Sequence, residues 1–167
     1  SIISSPLNGI ESRIPSFLSC VRKGIPTYVS TMPMAGLSAP YSMSGLLTLA
    51  HAEALFGITL AQLVNPGTPV IYGTVSTTMD MQTGSYLSGN VEMGMINCAC
   101  TQMAQYYQIP IYATAGMSDS KVPDAQAGYE KMATAMMTAL AGANFVHDAA
   151  GFLEFCTTIS YEQMVID

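Results

Sequence analysis

The sequence predicts an α/β fold: about half of a (β/α)8 TIM barrel, roughly four βα units. Three observations carry that prediction. Short apolar stretches rich in β-branched residues alternate with longer helical ones, as in parallel βα units. The segments leaving each expected strand are long and irregular, whereas those returning to the next are very short. Finally, 50% of the 167 residues are hydrophobic and only 10% are charged, against about 25% charged in a free-standing domain.

The elements follow in order. Residues 10–23 read as a short helix with a break at Pro15. Residues 25–32 (IPTYVSTM) read as the first strand. Residues 43–64 form a long helix, started by Ser42 or Ser44 and stopped at Asn65-Pro66-Gly67. Residues 68–75 (TPVIYGTV) are the second strand. Asn90 opens the next helix, which carries Glu92 early and runs to Tyr107. Residues 109–115 (IPIYATA) are the third strand. The helix over residues 123–141 has Pro123 near its first position and Asp124 in its first turn, where the dipole favours an anion. Residues 144–148 (NFVHD) make a short fourth strand, and a further helix begins at Tyr161.

The strand exits span residues 33–42, 76–89, 116–122 and 149–160. The returns are residues 65–67, 108 and 142. Barrel enzymes share this asymmetry and build the active site on the long-loop face. An open doubly wound sheet is the alternative, and it uses the same strand ends. Four units cannot close a barrel. The mean hydropathy of +0.35 fits a surface buried against further protein. The expectation is therefore that residues 1–167 are an internal part of one barrel domain, in a homo-oligomer.

Composition narrows the function classes. The net charge is −6 with only five Lys and Arg residues, which argues against a nucleic-acid partner. The longest apolar run, residues 43–64, is interrupted by His51, Glu53 and Gln62, so it reads poorly as a membrane span. Cys20, Cys98, Cys100 and Cys156 show no ligand spacing. The expectation is no metal site, and free thiols in a reducing cytoplasm. GxGxxG, GxxxxGK and GxSxG are absent, so nucleotide binding and a hydrolase elbow have no support.

Polar residues gather at the expected strand exits. They are Asp80 after the second strand, Met117, Asp119, Lys121 and Asp124 after the third, and His147 and Asp148 at the fourth. Each also has a plain reading. Asp80 can cap a turn, and Asp119 and Asp124 can cap a helix. Glu92 can complement a helix dipole, and His147 can be structural. Lys121 is either a solvated lysine or a Schiff-base lysine. Tyr28, Tyr72 and Tyr112 lie on the first three strands. Aromatic faces attract quaternary ammonium groups, although strand tyrosines also serve as core residues with one wet end.

Several stretches carry a resemblance. They include Met34-Ala-Gly-Leu-Ser-Ala-Pro40, Leu63-Val-Asn-Pro-Gly-Thr-Pro-Val-Ile-Tyr-Gly73, Asp119-Ser-Lys-Val-Pro-Asp-Ala-Gln-Ala-Gly-Tyr-Glu130 and Ala141-Gly-Ala-Asn144. In this order they resemble the trimethylamine methyltransferase family over nearly the whole sequence. The resemblance implies transfer of a methyl group from trimethylamine, or from a quaternary amine such as glycine betaine. The acceptor would be a Co(I) corrinoid (cobalamin) on a cognate partner protein, with no cofactor bound directly. It also implies that the family's pyrrolysine slot falls near Met117. A methionine there points to a quaternary amine, whereas the wording of residues 145–155 is closer to the trimethylamine branch. On this reading Met117, Asp119 and Asp80 are the catalytic candidates. Tyr72, Tyr112, Glu92, Gln126 and His147 are the substrate-binding ones. The competing readings are a lyase or aldolase-type barrel enzyme using Lys121, and a non-catalytic betaine-binding module.

Overall fold

A computed structural model describes residues 2–167. Four strands form one parallel sheet in chain order: β1 (Thr27–Thr31), β2 (Val70–Thr74), β3 (Ile111–Thr114) and β4 (Phe145–His147). Between and beside them run α1 (Ile14–Arg22), α2 (Met43–Val64), α3 (Val91–Tyr106), α4 (Ala125–Leu140) and α5 (Tyr161–Ile166). The chain is thus a mixed α/β fold with a parallel sheet, and its strand order shows no reversal.

Local chemistry sets the boundaries. Ser42, Asn90, Asp124 and Ser160 each precede a helix, and their side chains accept from Gly45, Met93, Ala127 and Gln163 backbone N–H groups. Such caps satisfy donors that the first helical turn leaves unpaired. The strands are shorter than their apolar runs. β1, β2 and β3 each begin directly after a proline, namely Pro26, Pro69 and Pro110. A proline has no N–H to give the ladder. Pro15 stands in the first turn of α1 and marks its start rather than a break.

Register decides which side chains meet. Val29, Tyr72 and Ile111 are laterally aligned, as are Tyr28 and Ile71. Gly73, Tyr112 and Phe145 form the next aligned row, followed by Thr114 and His147. Successive residues of a strand face opposite sides. The Val29–Tyr72–Ile111 side is packed against helices and holds the core, with Ala54, Ala61, Ile96 and Cys100. On the other side Tyr28 is 57% exposed and Phe145 is 60% exposed. One sheet face is therefore covered and the other, aromatic, face is open.

α2 is long and apolar enough to cross a bilayer by length and composition alone. Here its Gly57 meets Val29 of β1. Its buried Glu53 accepts from Ser5 Oγ at 2.8 Å and Leu7 N at 2.9 Å. The strand-exit loops are also ordered: Met34 and Ala35 pair in parallel with Thr77 and Thr78, joining the first two exits.

A Cβ at position 57 would sit 2.6 Å from Val29 Cγ1. Gly57→Ala should therefore lower unfolding stability by about 1–3 kcal/mol. Denaturant melts check this, and an unchanged midpoint would contradict the tight α2–β1 packing.

Candidate functional site

The site is built where β2, β3 and β4 end. Gly73 leaves room for the Tyr112 ring, whose Cδ1 lies only 2.7 Å from where a Cβ would stand. His147 stacks on Tyr112 with ring centroids 4.0 Å apart and planes 20° apart. Tyr28 and Phe145 flank the same ring at 5.4 and 6.1 Å. His147 Nε2 meets the Thr114 hydroxyl, which also donates to Thr74 O at 3.0 Å. His147 Nδ1 lies 2.9 Å from Asp148 Oδ2. Asp148 adopts a left-handed backbone, φ 63°, which aspartate tolerates better than most residues.

Beyond β3 the chain turns sharply. Thr114 N donates to Asn97 Oδ1 of α3 at 2.9 Å. Gly116 has φ 79°, and a Cβ there would lie 2.9 Å from Ala149 Cα, so the turn requires glycine. It buries Met117, whose Sδ is 2.7 Å from Cys156 Sγ. Asp119 Oδ1 then accepts from Ser88 N at 2.7 Å and Ser88 Oγ at 2.6 Å. Burial raises the Asp119 pKa, the Ser88 bonds pull it down, and nearby Glu130 pushes it up. Burial likewise pushes the Cys156 thiol up to about 11, with Asp148 and Asp119 adding to the rise. The Tyr86 hydroxyl donates to Val75 O at 3.1 Å. Its pKa is raised by burial first, then by Cys156, Asp148, Asp119 and Tyr112. Two carboxylates, a thiol and an aromatic wall thus share one region around Met117.

The structure sorts the sequence-derived candidates. Met117, Asp119, Tyr112 and His147 come together at these strand ends. Tyr72 does not join them: it faces the helix layer, is 1% exposed and stacks on His51 at 5.9 Å. Burial raises its pKa, with Cys100 adding to the rise. It therefore cannot share a wall with Tyr112, which faces the opposite side. Asp80 accepts from Gln82 N at 2.9 Å and Thr83 Oγ1 at 2.7 Å, holding a surface turn. Those bonds lower its pKa. Asp80 and Glu92 line a separate hollow of about 590 Å³ with Tyr41 and Met79. Gln126 is exposed and donates to Glu130 Oε1 at 2.8 Å. Lys121 is exposed, unlike the desolvated lysine that Schiff-base chemistry favours. Among the described residues no three His, Cys, Asp or Glu side chains converge as metal ligands. Sequence reasoning gave no role to Ser88 or Glu130, because each acts through a partner outside its own element.

The comparisons with known proteins agree with one another. The family model described as trimethylamine methyltransferase (MTTB) matches residues 2–167. The chain is 41% identical over 169 residues to a glycine betaine methyltransferase of Desulfitobacterium hafniense (strain Y51), covering 100% of this chain and 35% of that protein. It is 43% identical over 164 residues to trimethylamine methyltransferase MttB of Methanosarcina thermophila, covering 98% and 34%. It is 44% identical over 164 residues to MttB of Methanosarcina barkeri, covering 98% and 33%. The chain spans about a third of the length of these curated relatives.

The raised Asp119 pKa has a defined sign. The folded state holds the proton more tightly than the unfolded chain, whose value is near 3.8. The resulting stability is full below that pH and is lost as pH rises through the folded value. Asp119→Asn should abolish this component. Unfolding free energies of both proteins across acidic pH should diverge as pH rises, to the variant's advantage. Parallel curves would contradict the assignment.

Proposed function

This chain belongs to the trimethylamine methyltransferase family, and from that premise we propose that the whole protein transfers a methyl group from a methylated amine to the Co(I) corrinoid of a partner protein. The carrying observation is the Tyr112–His147–Asp148 cluster beside Met117, in a chain 41–44% identical to named methyltransferases.

The chemistry makes specific demands on the site. The methyl carbon leaves nitrogen, and the C–N bonding pair stays on nitrogen. A neutral amine is a poor leaving group, so the reacting nitrogen must carry positive charge. The exposed side of the Tyr112–His147 stack offers an aromatic face to such a cation. Asp148 and Asp119 supply negative charge nearby, strengthened where water is excluded. Met117 is uncharged, fully buried against Cys156 and has no proton to give. That favours a quaternary amine, such as glycine betaine, over trimethylamine. Both His147 ring nitrogens are already engaged, by Thr114 and Asp148. His147 therefore suits the aromatic seat for the amine, and the corrinoid would be held by its carrier protein.

The same proposal extends to architecture. The four βα units are half of a (β/α)8 barrel, and the open face with Tyr28, Ile71, Tyr112 and Phe145 looks into its interior. The remaining strands of the same polypeptide cover it. The uninterrupted strand order and the one-third coverage of the relatives support this reading. The protein is taken as a cytoplasmic homo-oligomer.

The test uses the full-length protein with a Co(I) corrinoid protein and either glycine betaine or trimethylamine, following corrinoid methylation by absorbance. Methyl transfer should occur, and Tyr112→Ala should raise KM on the order of ten-fold. Tight betaine binding without transfer would indicate a binding module. A borohydride-trapped adduct at Lys121 would indicate a lyase. Full activity in both Tyr112→Ala and His147→Ala would sink the site.

A further inference from the structure

One turn of α4 touches two of the loops that build the site and reaches the third through Asp167. Glu130 Oε2 accepts from Ser118 Oγ at 2.7 Å and from Asp119 N at 2.8 Å. The same carboxylate fills the space beside Gly89, where a Cβ would lie 2.2 Å from Oε2. A side chain on the loop after β2 at that point would displace the Glu130 carboxylate. Thr134 Oγ1 accepts from Gly116 N at 3.0 Å, and Lys131 Nζ donates to Gly116 O at 2.7 Å. Both backbone polar groups of the residue before Met117 are thus held by α4. Lys131 is 6% exposed and pairs with Asp167 Oδ2 at 2.8 Å. That same oxygen accepts from Gly151 N at 2.7 Å, which draws in the loop after β4.

A buried lysine costs stability unless it is paired and fully bonded. Here its donors go to the Met117 turn and to the carboxylate that holds the next loop. We infer that Glu130, Lys131 and Thr134 are the positioning residues of the reaction face: they fix where residue 117 stands and lock the three strand-exit loops in one arrangement. None of them takes part in the chemistry. The inference rests on the proposed methyl transfer only for its kinetic readout.

The test compares Thr134→Val, Thr134→Ser and Lys131→Met in the full-length protein. Valine keeps the shape and loses the acceptor, whereas serine keeps the acceptor. Misplacement of reacting groups by about 1 Å can cost up to about a hundred-fold in rate. Thr134→Val and Lys131→Met should therefore lower kcat by about ten-fold or more. KM should stay within about two-fold, and Thr134→Ser should behave as wild type. Hydrogen exchange gives a readout independent of activity: amides of residues 115–119 should exchange faster in Thr134→Val than in Thr134→Ser, with β1 and β2 unchanged. If Lys131→Met does not fold, the threonine pair decides. Unchanged exchange and unchanged kcat in Thr134→Val would overturn the inference. Altered exchange in a protein with no methyl transfer would support the clamp and count against the proposed function instead.

Discussion

Where β3 ends, its backbone must find new partners. Thr114 N goes to Asn97, Gly116 N goes to Thr134, and Gly116 O is met by Lys131. All three partners belong to the helix layer behind the sheet. A buried backbone group left unpaired costs about 1–3 kcal/mol, so the turn has little freedom to stand elsewhere. The placement of Met117, its contact with Cys156 and the approach of Asp119 to Ser88 all follow from that anchored exit. The helices therefore do more than cover the sheet: two of them hold the site from behind.

The second organising fact is the sheet's asymmetry. Its helix side is closely packed, with Val29 seated against Gly57, Ala54 and Ala61 nearby, and the Tyr72 ring buried against His51. Its other side carries rings, with Tyr112 lying over Gly73 and stacked on His147. An aromatic face with a carboxylate at its rim suits a methylated cation. The same face also suits the interior of a larger barrel. On the proposed barrel reading the two fit together, because a barrel's interior ends at its mouth and the mouth is where barrel enzymes work.

Much of the fold was legible in the sequence because it is written locally. Residues 43–64 were readable to the residue, since Ser42 caps the start and Asn65-Pro66-Gly67 stops the end. The strand starts were blurred because the apolar runs continue through Pro26, Pro69 and Pro110, which have no N–H to donate to the ladder. The site was less legible, and register is the reason. Tyr72 and Tyr112 look equivalent along their strands, but Tyr72 pairs laterally with Ile111. The two tyrosines consequently face opposite sides, a consequence of the two-residue period that no single strand reveals. Asp80 was readable both as a strand-exit carboxylate and as a turn cap, and it holds a turn through Gln82 and Thr83. The Lys131–Asp167 pair spans 36 residues and leaves no local trace.

On the proposed function a methylated ammonium group sits on the Tyr112–His147 stack. The most direct measurement is the proton NMR shift of the glycine betaine methyl groups on binding to the full-length protein. Ring currents from a stacked Tyr and His should move that resonance upfield, and Tyr112→Leu should remove most of the shift. Binding with no upfield shift, or a shift that Tyr112→Leu leaves intact, would contradict the account.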